Sequence, residues 1–126
     1  MKRTMMAAVL GLFGMGLSAC GSSTSDLTPQ AACTEGVSAM CQKVSQCAGA
    51  VGLTALGGYS SVQDCITQMD AQNCTATQVT CSAPAKYSAS NAQACINAFT
   101  TMTCAALATA SATSDPTPVV CDEVCQ

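Results

Sequence analysis

An all-α fold is what this sequence predicts: a small disulfide-stapled bundle of three main helices plus a short C-terminal helix. Three observations lead there. Apolar residues recur every three or four positions in three separate stretches, the spacing of one face of a helix. The cysteines fall on those same stripes, where helices would pack. The chain is also poor in bulky core-formers, with no Trp, 2 Phe and 2 Tyr in 126 residues, while Cys reaches 11. So small a core with so many cysteines is the composition of a disulfide scaffold.

The first helix follows from Cys33, Val37, Met40, Cys41, Val44 and Cys47, which trace one face. Thr28 is placed to cap it and Pro29 to open its first turn, where a missing N–H leaves nothing unsatisfied. Gly49 is the expected stop. The second helix carries Val62, Cys65, Ile66 and Met69, with Ser60 and Gln63 as a capping-box start. The third carries Ala92, Cys95, Ile96, Phe99 and Met102, with Ser90 and Gln93 as the corresponding box. A short fourth turn is expected at Val120–Cys125, where Cys121 and Cys125 share a face at i, i+4. The Gly-rich segment Gly49–Gly58 carries Val51, Leu53 and Leu56 without clear periodicity. It reads as a loop folded over the helices, or as an exposed apolar loop that touches a partner or bilayer. Two segments also resemble each other, from Tyr59 through Cys65 to Cys74 and from Tyr87 through Cys95 to Cys104. They suggest two related helical units packed together, since two copies are too few for a solenoid.

The N-terminus sets the compartment. Met1-Lys2-Arg3 is cationic, and Met5 to Leu17 is an uncharged, mostly apolar run of 13 residues. Crossing a bilayer takes roughly 20 apolar residues, so the run has the length of a secretion-signal core and not of a membrane span. Leu17-Ser18-Ala19-Cys20 closes it. These four residues resemble the lipobox of bacterial lipoproteins, a Leu, two small residues and a Cys. The resemblance implies that Leu17, Ser18 and Ala19 are recognised by signal peptidase II, that the cut falls before Cys20, and that Cys20 carries the lipid. It divides the chain into a lipoprotein signal peptide (1–19), a lipidated N-terminus with a flexible tether (20–28) and a cysteine-rich helical domain (29–126). It also implies a lipid-anchored place in the cell envelope. Gly21, where an Asp is associated with inner-membrane retention, favours the outer membrane, on its periplasmic face or at the cell surface. Further on, the C-x7-C-x5-C of Cys33, Cys41 and Cys47 and the Y-S…Q-x-C-I segment resemble the cysteine-rich small lipoproteins abundant in myxobacteria. That likeness is one of spacing and adds location, not activity.

Setting Cys20 aside leaves ten cysteines, at 33, 41, 47, 65, 74, 81, 95, 104, 121 and 125. An even set in an exported chain implies five disulfides. No C-x-x-C occurs among them, which removes the thioredoxin-like redox motif and the zinc-ribbon and c-haem signatures. In an up-down-up arrangement Cys47 ends the first helix and Cys65 begins the second, so they are expected to bond. By the same reasoning Cys33 should meet Cys74, and Cys41 should meet Cys95 on the parallel third helix. Cys104–Cys121 and Cys81–Cys125 are then what remains.

Beyond Cys20 the cations are Lys43 and Lys86 alone, against seven carboxylates, and there is neither His nor Arg. Binding nucleic acid requires Lys and Arg against phosphate, which excludes that partner. Attraction to anionic lipid headgroups fails on the same count. General acid–base work most often uses His, while Asp64 and Asp70 lie about 240° apart round a helix and cannot face each other. Asp122 and Glu123 adjoin and point apart. No catalytic residue, metal ligand or cofactor is assigned. What survives is a non-catalytic, membrane-tethered envelope lipoprotein, structural or macromolecule-binding. Its partners are the membrane, through the anchor, and an unidentified protein or envelope polymer. The alternative is a carrier of a small apolar ligand between the helices, which an apolar cavity of a few hundred Å³ would favour. A thiol–disulfide redox protein, the third class, would need a cysteine left unpaired and exposed.

Overall fold

Thr28 caps the first helix as expected, its Oγ1 accepting from the Ala31 N–H at 3.2 Å, with Pro29 in the first turn. In the computed structural model, which describes residues 27–112 and 117–126, this helix, α1, runs Pro29–Gly57. Leu17, Ser18, Ala19 and Cys20 lie outside the described residues. Gly49 interrupts α1 at φ 58° and ψ −149°, backbone angles essentially confined to glycine. Helical turns then resume and end at Gly58, whose φ of 77° lets its N–H bond back to the carbonyls of Leu53 and Thr54. The loop expected over Gly49–Gly58 is therefore helix up to Gly57. Leu53 and Leu56, three apart, make a stripe too short to register as a period; Leu53 is buried, whereas Val51 is 79% exposed.

The caps of the next two helices sit one or two residues away from their expected places. Helix α2 runs Val62–Asn73 and is capped by Ser61, whose Oγ accepts from the Asp64 N–H at 3.1 Å. The Asp64 carboxylate reaches back to the Ser60 N–H at 2.9 Å and the Ser60 hydroxyl at 3.0 Å. Ser61, not Ser60, is thus the cap, and the return bond comes from Asp64, not Gln63, to the residue before the cap. Helix α3 runs Ala89–Thr101 and is capped by Ser88, whose Oγ accepts from the Asn91 N–H at 3.3 Å, in place of Ser90. A further helix, α4 at Cys104–Ala112, has no counterpart in the expected set. Its residues are almost all Ala, Ser and Thr, with Leu107 the one buried side chain, so no stripe announces it. The C-terminal turn is a 3₁₀ helix, Val119–Val124. Among the described residues there is no strand, only an isolated antiparallel bridge between Tyr87 and Cys125.

Helix α1 is the spine. It packs against α2 on one side and α3 on another and touches α4, while α3 carries the 3₁₀ helix; α2 and α3 make no contact with each other. The two similar segments are therefore separate wings on α1 and not a packed pair. Two small cores result. One gathers Val37, Cys41, Val44 and Leu53 of α1 with Tyr59, Cys65, Cys74 and Leu107. The other gathers Leu27, Ala32 and Ala39 with Ala92, Ile96 and Phe99 of α3. The tether expected over 20–28 ends earlier: Leu27 and Thr28 belong to the folded domain, as the Leu27 carbonyl accepts from the Tyr87 hydroxyl at 2.8 Å and Thr28 caps α1.

All ten domain cysteines are bonded. Cys33–Cys74 and Cys81–Cys125 are joined, as the sequence reading pairs them; the other three bridges are Cys41–Cys65, Cys47–Cys104 and Cys95–Cys121. The expected Cys47–Cys65, Cys41–Cys95 and Cys104–Cys121 are replaced, and register explains why. With Cys33 level with Cys74 on an antiparallel helix, the level partner of position 47 is position 60, so Cys65 sits about 7 Å too far along the axis. Cys41 is level with Cys65 within one residue and takes it. Cys41 also lies about 200° round α1 from Ala39, which packs on α3, so it faces away from Cys95. Cys47 is left to α4, and Cys95 to the 3₁₀ helix lying on α3.

Two outcomes follow from this arrangement. Three partners, the Ser60 N–H first, then the Gln68 amide and the Ser60 hydroxyl, hold the Asp64 carboxyl below its ordinary range. A depressed carboxylate contributes stability that is present above its unfolded pKa and lost as pH falls through the native one. Melting temperature should therefore drop as pH falls below about 4, and Asp64→Asn should flatten part of that drop; superimposable profiles would remove the capping role. Separately, no domain cysteine of the denatured, non-reduced protein should react with a thiol reagent. Full reduction and blocking should abolish the cooperative thermal transition, since each closure of 24 to 57 residues contributes about 3–4 kcal/mol taken singly. A sharp transition surviving in the blocked protein would show that packing alone holds the fold.

Candidate functional site

A cavity of about 460 Å³ lies between α1, α3 and the segment that follows α2, within the range of small-ligand sites. Its floor is the α1 stripe Pro29, Ala32, Cys33, Gly36, Val37 and Met40, at steps of three and four. Ala92, Cys95, Ile96 and Phe99 of α3 form one wall. The segment Gln78–Cys81 forms the other, and Tyr87, Val124 and Cys125 close an end. No charged side chain lines it.

Covalent bonds frame this cleft. Cys33, Cys81, Cys95 and Cys125 are lining residues, so three of the five disulfides border it. Backbone pairing of Lys86 with Gln126, and of the Ser88 N–H with the Val124 carbonyl at 2.9 Å, ties the chain end across one side. Tyr87 stands at the rim, its phenol donating to Leu27; burial raises its pKa above the ordinary value, and the nearby Glu35 charge adds to the rise.

The helix floor contains one residue that helix propensity disfavours. Gly36 sits inside α1 with helical angles, and a Cβ built there would meet only Ile96 Cγ1, at 4.0 Å. Neither backbone angle nor crowding requires glycine at that place. A helix-interior glycine costs roughly 0.5–1 kcal/mol relative to alanine, and here it leaves the floor of the cleft without a side chain.

The residues singled out from sequence take other positions. The carboxylates of Asp64 and Asp70 do not converge: Asp64 caps α2, and Asp70 accepts from the Thr34 hydroxyl at 2.6 Å, tying α2 to α1. Asp122 and Glu123 are exposed on the 3₁₀ helix. The cysteines are spent on bridges, which leaves no thiol among the described residues for redox exchange. Sequence reasoning did not find the cleft residues Gly36, Val79 and Tyr87. Gly36 inside an otherwise regular stripe was the available signal. Among the described residues no single helix is long and apolar enough to cross a membrane; α3 and α4 pass such a test only together, meeting at 107°.

Comparison with protein-family models, with curated proteins and with solved structures finds no match. Chemistry at the site thus rests on geometry.

Gly36→Ala should raise stability by roughly 0.5–1 kcal/mol, the helix-propensity gain, in thermal or denaturant unfolding. A loss of stability instead would show that the floor cannot accept even a methyl group.

Proposed function

We propose that this chain is a non-catalytic envelope lipoprotein, tethered to its membrane through Cys20, whose disulfide-rich helical domain acts by binding. The observation that carries the reading is that all ten domain cysteines are joined in five bridges at helix contacts and chain ends. Such a set is typical of oxidising compartments, which supports export. Lys2, Arg3, the apolar run to Leu17 and the Leu17–Cys20 motif supply a matching export and anchoring signal. Two acyl chains suffice for stable attachment where one is marginal. Leu27 is docked on Tyr87, and the seven residue steps from Cys20 to Leu27 span at most about 25 Å at full extension. The domain would work close to the membrane surface.

The cleft favours a second reading of what the domain binds. A cavity of about 460 Å³ lined by apolar side chains suits a small apolar ligand, so carriage or capture of such a molecule stands beside docking to a protein or envelope polymer.

Metabolic labelling with palmitate tests the anchor. The wild-type chain should incorporate label and sediment with envelope membranes, and Cys20→Ser should lose both. Undiminished labelling of the Cys20→Ser chain would overturn the assignment.

A further inference from the structure

We infer that the cleft between α1 and α3 holds the single hydrocarbon chain of an uncharged amphiphile, of the monoacylglycerol class, taken from the membrane to which the protein is tethered. This rests on the membrane-tethered reading for the source of the ligand, though not for the existence of the site.

Four observations converge. The lining is aliphatic and aromatic, with Ile96 and Phe99 of the wall facing Val37 and Met40 on a floor that Gly36 leaves open. A flexible hydrocarbon chain matches such a narrow apolar space, gaining the burial that drives apolar transfer from water. Second, the mouth offers neutral donors only. The Gln78 amide oxygen accepts from the Thr75 hydroxyl at 2.7 Å, which orients the side chain and leaves its N–H₂ to donate, and Thr80 adds a hydroxyl. Third, no cation lines the cleft, and the Glu35 charge acts on Tyr87 at its rim. A carboxylate or phosphate headgroup would find no counter-charge there, whereas an ester carbonyl or a hydroxyl can accept from Gln78 and Thr80. Fourth, Leu27, the first described residue after Cys20, is bonded to the rim residue Tyr87 and lies two positions from the floor residue Pro29. The cleft is therefore presented within the tether's reach of the bilayer.

Only one chain fits this reasoning. A cavity of about 460 Å³ has room for one long hydrocarbon chain and not for two, and withdrawing one acyl group of Cys20 itself would weaken the anchor that needs both.

The test uses the whole lipoprotein, reconstituted in phosphatidylcholine vesicles doped with a trace of photoactivatable monoacylglycerol or, in parallel, of photoactivatable fatty acid at alkaline pH. After irradiation, peptides are mapped by mass spectrometry while flotation reports membrane attachment. The expected result is monoacylglycerol label on the peptides holding Gly36–Met40 and Ile96–Phe99, with only background label from the fatty-acid anion. Gly36→Leu, which fills the floor, and Val79→Phe, which fills the opposite wall, should each reduce that label to background while the helical circular dichroism spectrum stays unchanged. Flotation should persist in both variants, so loss of flotation would count against the tether alone. Label that survives both filling variants, or that centres on exposed residues such as Val51, would overturn the site. Equal labelling by the fatty-acid anion would overturn the neutral-headgroup assignment.

Discussion

The Cys41–Cys65 bridge is where the molecule is held. Both half-cystines are fully buried, and the Met69 thioether lies 3.9 Å from one sulfur and 3.8 Å from the other. Around this sulfur cluster stand Val37, Val44, Leu53, Tyr59 and Leu107, a thin shell by the standards of a domain core. The remaining core side chains are mostly small, and the other cluster leans on alanines at 32, 39 and 92. With so little apolar area available, burial cannot offset the ordering of the chain by itself, which is the situation in which small secreted domains depend on cross-links. The bridge also fixes which face of α1 receives α2, and by exclusion which face is left for α3.

The disulfides divide the fold into two covalent groups. Cys33–Cys74, Cys41–Cys65 and Cys47–Cys104 bind α2 and α4 to α1; Cys81–Cys125 and Cys95–Cys121 bind the C-terminal segment to the Cys81 segment and to α3. No bridge joins α1 to α3. That seam is held by small side chains against Ile96 and Phe99, by the Tyr87–Leu27 hydrogen bond and by chain connectivity. The cleft lies along the same seam. Three bridges border the cleft, but none crosses from its α1 floor to its α3 wall, so the space opens along the one helix seam that is not cross-linked.

Much of this architecture is written in local patterns, and what escaped them is tertiary. The stripes around Cys33–Cys47, Val62–Met69 and Ala92–Phe99 identify the three main helices because each buries one face at a 3.6-residue period. Thr28 and Pro29 mark the start of the first for a local reason that needs no partner. The caps at Ser61 and Ser88 are displaced because neighbouring serines offer the same cap, and spacing alone does not choose between them. Helix α4 is nearly all alanine and hydroxyl residues and has no polar face to contrast with an apolar one. Pairings beyond Cys33–Cys74 and Cys81–Cys125 depend on axial register and on the face each cysteine presents, which spacing along the chain encodes only after one bridge is known. The cleft is lined by α1, α3, the Gln78–Cys81 segment and the C-terminal segment together, a relation between elements that no single segment records; only Gly36 carries a trace of it.

The pairing of α1 with α2 has a consequence for how such a chain can change over generations. Cys33 and Cys41 are 8 residues apart on α1, and Cys65 and Cys74 are 9 apart on α2, so the two bridges stand on rungs about 12–14 Å apart. Adding or deleting one residue between the rungs on either helix turns the next cysteine by about 100° and shifts it along the axis, which breaks a bond. Those two intervals are locked in length. The turn at Gly58–Ser61 and the segment after Cys74 lie outside the ladder, so these two bridges do not fix their length. Descendants of this chain should therefore vary in length between their helices while keeping these two counts, with the ladder acting as a ruler that sequence drift cannot stretch.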